Sequence, residues 1–177
     1  MNMDTGLTKA LNAQITLEFN ASYIYLGMSA YFESLDLDGF SSWLRAQSAE
    51  ERSHGMRIYE HLAARNAPIE LEALACPKVD FNSPLAVVSA ALAHEQGTTR
   101  AVNALYARSV ETGDYQTKAM MDWFVNEQIE EEDTLRTLES HLKIAGNDGA
   151  ALLLLDRELG MRPTTTSDAE GVDESST

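Results

Sequence analysis

Four long stretches of the chain carry apolar residues at every third or fourth position, and each stretch is broken near its middle by residues that ligate metals. The first runs through Leu7, Leu11, Gln14, Glu18, Ala21, Tyr25, Met28, Phe32 and Leu35, predicting a helix from Thr5 to about Leu35. The second, through Phe40, Leu44, Glu51, His54, Ile58 and Leu62, predicts a helix ending near Asn66. A third carries Leu85, Val88, Leu92, Glu95, Thr99, Val102 and Tyr106, and a fourth carries Met120, Phe124, Gln128, Glu131, Leu135, Leu138 and Leu142. Amphipathic helices of this length bury their stripes against one another, so the expected fold is all-α, a four-helix bundle.

The connections set the topology. A turn over Asp36–Gly39 joins the first two helices, with Asp38 expected as N-cap of the second. Residues 67–83 have no helical period and contain Pro68 and Pro77. Extended, they reach ~55 Å, whereas the preceding helix is only ~40 Å long. The linker can therefore cross the bundle and let the second and third helices run parallel. Ser83-Pro84 is a helix start, Gly113 a stop, and Asp114 a cap for the fourth helix, which ends at Gly146-Asn147-Asp148-Gly149. A short fifth helix over about Ala150–Leu159 is too apolar to stand free and should pack on the bundle or on a neighbouring subunit. A second apolar set on the first helix (Ile15, Phe19, Tyr23, Leu26) also suits a subunit contact. The expected organisation is one bundle over 1–160 and a disordered polar tail over 161–177.

Glu51 and His54 lie i, i+3 and share a helical face with apolar neighbours. Burying them costs free energy unless they are paired, and a metal ion is a partner that suits such a motif inside a bundle. The pair alone is weak, because Glu-x-x-His arises by chance in many helices. Its weight comes from Glu18, Glu95, Gln128 and Glu131 interrupting the other three stripes at matching mid-helix positions. Four clustered carboxylates repel one another, and two cations neutralise them. Oxygen ligands with one imidazole suit iron, manganese or zinc. A hydrogen-bonded network of acids without metal is the structural alternative.

Composition is consistent with this. The net charge is −15, from 28 acidic and 13 basic residues, which disfavours nucleic acid as a partner and suits a protein that attracts cations. Cys76 is the only cysteine, so no intrachain disulfide forms. No signal peptide pattern is visible and the run Ala150–Leu155 is too short to span a membrane, giving the expectation of a soluble, cytoplasmic protein.

The order Glu18, Glu51-x-x-His54, Glu95, Glu127-Gln128-Ile129-Glu130-Glu131 resembles ferritins of the bacterial non-haem type, over about Thr5–Leu159. The resemblance implies iron storage with ferroxidase activity: Fe(II) is oxidised by oxygen or hydrogen peroxide at a di-iron centre, and ferric mineral is kept inside a homo-oligomeric shell of 24 subunits. It implies that Glu18, Glu51 and His54 hold the first iron, with Glu51 bridging. Glu95 and Glu131 would hold the second, with Gln128 beside it, and Glu50, Glu127 and Glu130 a third position nearby. Read without it, Glu50, Glu127 and Glu130 are equally residues of a solvated face. Tyr25 corresponds to a redox-active tyrosine in the resemblance and is otherwise a packed aromatic with a satisfied hydroxyl. Trp123 reads as core. The second ring nitrogen of His54 is expected to donate to an outer acceptor.

Departures narrow the choice. The second Glu-x-x-His of bacterioferritin is missing, because Glu127 and Glu130 stand there, and Arg52 occupies the place of the haem-ligating Met, so no haem is expected. Lys118 and Met121 fall where animal ferritins carry channel acids. Two other classes are a di-iron oxidase of an organic substrate, which would need a substrate pocket, and a metal-binding or helical interaction protein, which would not consume oxygen with ferrous ion. A mini-ferritin fits less well, since its ligands lie between subunits and it has no fifth helix.

Overall fold

The computed structural model describes residues 3–161; the polar tail expected beyond Met161 lies outside the described residues. They form five helices and no strand: α1 Thr5–Glu33, α2 Asp38–Ala64, α3 Pro84–Glu111, α4 Tyr115–Ala145 and α5 Gly149–Gly160. No helix among them is long and apolar enough to cross a membrane.

The four stripes meet as two separate apolar clusters. One gathers the C-terminal half of α1 (Met28, Phe32), the N-terminal halves of α2 and α3 (Phe40, Leu44, Val88, Leu92) and the C-terminal half of α4 (Leu135, Leu138). The other gathers the opposite ends: Leu7 and Leu11, Ile58 and Leu62, Val102 and Leu105, Met121 and Phe124. It follows that α2 and α3 run parallel and α1 and α4 run against them. Residues 65–83 make the long crossover. Asn12 and Asn20 of α1 hold it down: the Asn12 side-chain amide donates to the Pro68 carbonyl, its oxygen accepts from Glu70 N–H, and Asn20 accepts from Ala75 N–H.

The starts of α3 and α4 follow from the residues expected to cap them. The Ser83 hydroxyl accepts from Ala86 N–H and the Asp114 carboxylate from Thr117 N–H. Asp148, expected only within the end of α4, caps α5 through Ala150 and Ala151 N–H. The second helix departs from expectation. Asp38 is its first residue, not its cap; the N-cap is Leu37, which offers no side-chain acceptor. The acceptor comes from α5, where Asp156 Oδ1 takes Phe40 N–H at 2.9 Å. Close approach makes this feasible, since a Cβ at Gly39 would sit 1.7 Å from the Asp156 carbonyl oxygen. The fifth helix is fixed there by buried Leu159, with Leu152 and Leu155 against the first cluster, while Leu153 and Leu154 stay exposed.

The second face of α1 divides in two. Ile15 is fully buried, Phe19 packs against the second cluster, and only Tyr23 and Leu26 are exposed as a contact face requires. Leu17 joins them on α1, and Leu71, Leu74 and Val79 are exposed on the crossover that lies along it.

Candidate metal centre

Between the two apolar clusters lies a buried polar layer. Gln14 and Glu18 come from α1, Gln47, Glu51 and His54 from α2, Glu95 and Thr98 from α3, and Gln128 and Glu131 from α4. Glu18, Glu51 and His54 are each 1% exposed, Glu95 is 0% and Glu131 6%. Each long helix thus places its stripe's interruption at one level of the bundle. Gly55 lets α1 and α2 close there, since a Cβ on it would meet the Phe19 ring at 2.7 Å.

Ligand atoms of Glu18, Glu51 and His54 lie within 4.8 Å of one another, and so do those of Glu50, His54 and Glu127. His54 therefore belongs to both groups. Glu95 and Glu131 fall outside the first group, but their charges act on Glu51. Glu130 is exposed and outside the second group, although its charge acts on Glu50.

Burial is the main electrostatic fact. It pushes the carboxyls of Glu18, Glu51 and Glu131 well above the usual range, and neighbouring acids add to the rise: Glu51 on Glu18, and Glu95 on both Glu51 and Glu131. Burial also raises Glu50, with Glu127 and Glu130 adding and His54 opposing. The side-chain atoms pair selectively. Glu18 Oε1 accepts from Gln14 Nε2 at 2.7 Å, and Glu95 Oε1 accepts from the Tyr25 hydroxyl at 2.7 Å. Burial and the charges of Glu95, Glu51 and Glu131 raise the Tyr25 pKa well above 10.0, so the phenol keeps its proton and donates it. The opposite atoms, Glu18 Oε2, Glu51 Oε2, Glu95 Oε2 and His54 Nε2, are buried and have no hydrogen-bond partner. Unpaired buried acceptors are rare, and each needs an explanation. A cation among Glu18, Glu51 and His54 provides one for three of these atoms, and Glu95 Oε2 is left for a second.

Some surroundings differ from the sequence reading. His54 Nδ1 sits 3.6 Å from Glu51 Oε2, so among the described residues its ring has no separate outer acceptor. Trp123 is half-buried and packs against the second cluster as expected, and it also walls the site: its ring meets that of His54 edge-on at 5.2 Å, and Arg57 covers it with Cζ 4.0 Å from the ring centroid. Met121 is fully buried and Lys118 is paired to Asp122 at 2.9 Å. Three contributors were not singled out in the sequence. Gln14 was visible as a polar break in the α1 stripe one turn before Glu18. Glu132 accepts from the Thr99 hydroxyl at 2.6 Å, and His94 brings Nδ1 to 3.5 Å from Glu95 Oε1. Both stand one residue off a stripe and carry no periodic signal.

With this geometry in view, comparison with known proteins is informative. Residues 8–145 match the family described as a ferritin-like domain. The chain is 36% identical over 160 residues to the bacterial non-heme ferritin of Staphylococcus aureus (strain USA300), spanning 90% of this chain and 96% of that protein. It is 35% identical over 160 residues to that of Staphylococcus haemolyticus (strain JCSC1435), with the same coverage. Among solved structures it is similar to the open pore ferritin from the hyperthermophilic archaeon Archaeoglobus fulgidus. The TM-score is 0.89 at 34% identity, over 92% of this chain and all of that one.

Proposed function

The chain belongs to the ferritin family of iron-storage proteins, and from that premise we propose that it is itself a ferroxidase, oxidising Fe(II) at a di-iron centre built within one subunit. Iron is the substrate. Two ferrous ions each give up one electron, reducing oxygen with two protons to hydrogen peroxide, or hydrogen peroxide with two protons to water. Glu18, Glu51 and His54 bind the first iron, and Glu51 bridges to the second, which Glu95 and Glu131 bind with Gln128 alongside. Glu50, Glu127 and Glu130, with Glu130 at the exposed end, make a third position that accepts iron leaving the pair.

Charge supports the direction of the reaction. Four carboxylates, Glu18, Glu51, Glu95 and Glu131, balance two ferrous ions. After oxidation the metals carry two further positive charges, which the same acids stabilise better than neutral ligands do. The excess charge lowers the pKa of bound water and favours hydrolysis and onward movement of the ferric product. Tyr25 holds Glu95 through Oε1 and leaves Oε2 for metal. Gln14 does the same for Glu18. Association is supported by the apolar residues left exposed on α1, the crossover and α5; a hollow shell of 24 subunits follows from the family.

The observation that carries the proposal is the set of buried unpaired atoms on Glu18, Glu51 and His54, whose ligand atoms lie within 4.8 Å of one another, with Glu95 Oε2 unpaired in the same layer. Stopped-flow oxidation of Fe(II) by metal-free protein tests it, with particle mass measured in parallel. Fast oxidation saturating near two irons per chain is expected, lost in Glu51→Ala while the helical particle persists. Unchanged oxidation in Glu51→Ala refutes the site. Two bound metals without oxygen consumption would leave a metal-binding bundle in its place.

A further inference from the structure

The Thr99 hydroxyl faces three acceptors but has one hydrogen. Its oxygen lies 3.0 Å from the Glu95 carbonyl, 3.0 Å from Gln128 Oε1 as that amide stands in the structure, and 2.6 Å from Glu132 Oε1. The Glu132 contact is the shortest and has the length of a hydroxyl donating to a carboxylate. The other carboxylate oxygen of Glu132 faces Arg136 at 3.8 Å. With the hydrogen given to Glu132, an oxygen of Gln128 placed against Thr99 would bring two lone pairs together. A side-chain amide has a donating and an accepting end, and the bonds around it decide which way it turns. Gln128 is 3% exposed, and its amide nitrogen donates to no group among the described residues, although it is not one of the fully buried unpaired atoms of the layer.

We infer that Thr99 and Glu132 are positioning residues that turn Gln128 so that its amide nitrogen donates to Thr99 and its oxygen is presented as a neutral ligand to the second iron. This rests on the ferroxidase reading. The hydrogen-bond chain then runs in one direction: Gln128 nitrogen to Thr99 oxygen, Thr99 hydrogen to Glu132. Each of these two links has one donor and one acceptor, and the Glu95 carbonyl, fixed in α3, is the one 3.0 Å neighbour of the Thr99 oxygen that cannot turn. It also gives Gln128 a role its sequence position only hinted at. It lies one turn before Glu131 on the stripe of α4, and its oxygen would add a ligand there without a fifth negative charge in the buried layer.

The test is anaerobic calorimetry with Zn(II) on the metal-free, assembled protein, alongside stopped-flow Fe(II) oxidation. Zinc reports ligand geometry without any redox step. Thr99→Val keeps the shape and removes the hydroxyl; Glu132→Ala removes the acceptor and lets the Thr99 hydrogen turn to Gln128, swinging its oxygen from the metal. Both should weaken the second zinc by about tenfold or more and leave the first zinc unchanged, which serves as the control for folding. Thr99→Ser keeps the hydroxyl and should bind as the wild type does. Second-zinc affinity unchanged in Thr99→Val, or lost equally in Thr99→Ser, overturns the inference; the latter would assign Thr99 a packing role. Should Thr99→Val fail to assemble, the contrast of Glu132→Ala with Thr99→Ser decides by the same criterion. Wild-type protein that binds fewer than two zinc ions, or binds two and does not oxidise Fe(II), instead defeats the ferroxidase reading on which the inference stands.

Discussion

Replacing Glu18 by glutamine should make the metal-free protein more stable and abolish its fast iron chemistry. Glu18 is 1% exposed, beside Glu51, with Oε2 unpartnered. Glutamine keeps the oxygen that accepts from Gln14 and turns an N–H toward Glu51, whose Oε2 also lacks a partner. Relieving one unsatisfied buried group is worth about 1–3 kcal/mol. With an unfolding entropy of about 2.1 cal/mol/K per residue, 177 residues give about 0.37 kcal/mol/K, so the melting temperature should rise by about 3–8 °C. The pH dependence follows from the sign of the shift. Burial and Glu51 raise the folded pKa of Glu18 above 4.5, so the folded protein holds a proton that the unfolded chain releases. Wild-type stability therefore falls as pH rises from 4.5 toward that folded pKa, and the gap to Glu18→Gln opens over the same window. Metal reverses the order, since a ligand at a hundred times its Kd stabilises the wild type by about 2.7 kcal/mol. Calorimetric melting at pH 4.5 and 7, with chelator and then with Zn(II), reads all three effects. A lower melting temperature for metal-free Glu18→Gln at pH 7, or a gap indifferent to pH, refutes the reasoning.

Other perturbations probe the scaffold. Tyr25→Phe leaves Glu95 Oε1 without the hydroxyl at 2.7 Å and should cost the metal-free protein about 1–3 kcal/mol in denaturant unfolding. Asp114→Asn keeps a good N-cap for α4 but weakens the paired bonds to Arg65, both 2.9 Å. Those bonds, with a smaller share from the Thr117 cap, hold Asp114 down to about 2 from 3.8, together a stabilisation of about 2 kcal/mol that is complete above pH 3.8 and lost as pH falls through about 2. Denaturation at pH 7 should show the loss, and at pH 2 wild type and variant should converge. Gly39→Ala places a methyl on the Asp156 carbonyl and should free α5 for limited proteolysis. Asp156→Ala removes only the cap, costs about 1 kcal/mol, and should leave α5 largely protected.

The helices and the polar layer were legible because burial enforces period: a residue that breaks an apolar stripe, as Glu18, Glu51, Glu95 and Glu131 do, is conspicuous in one dimension. The crossover was legible from length alone. What the sequence hid was contact between residues far apart in the chain. The cap of α2 was assigned to Asp38 because caps are normally local, whereas Asp156 supplies it. Glu132 and His94 went unseen because they approach the layer from one position off the stripe. Trp123 reads as core in the sequence and does pack there, yet only the assembled bundle shows it as a wall shared between His54 and Arg57.

The cap that α5 lends to α2 has a consequence for synthesis. Phe40 leaves the ribosome 116 positions before Asp156. At about 5–20 residues/s, the interval is roughly 6–23 s. During that time the start of α2 has no side-chain acceptor and its first turn frays, and this still holds at the end of the interval, when synthesis has passed Ala145 and the sequence for all four long helices is complete. Closure of that turn is therefore among the last events in the maturation of a subunit, and a chain released before residue 156 carries an open end on the outside of an otherwise formed bundle. The fifth helix thus acts as a mark of completion, distinguishing finished chains from truncated ones.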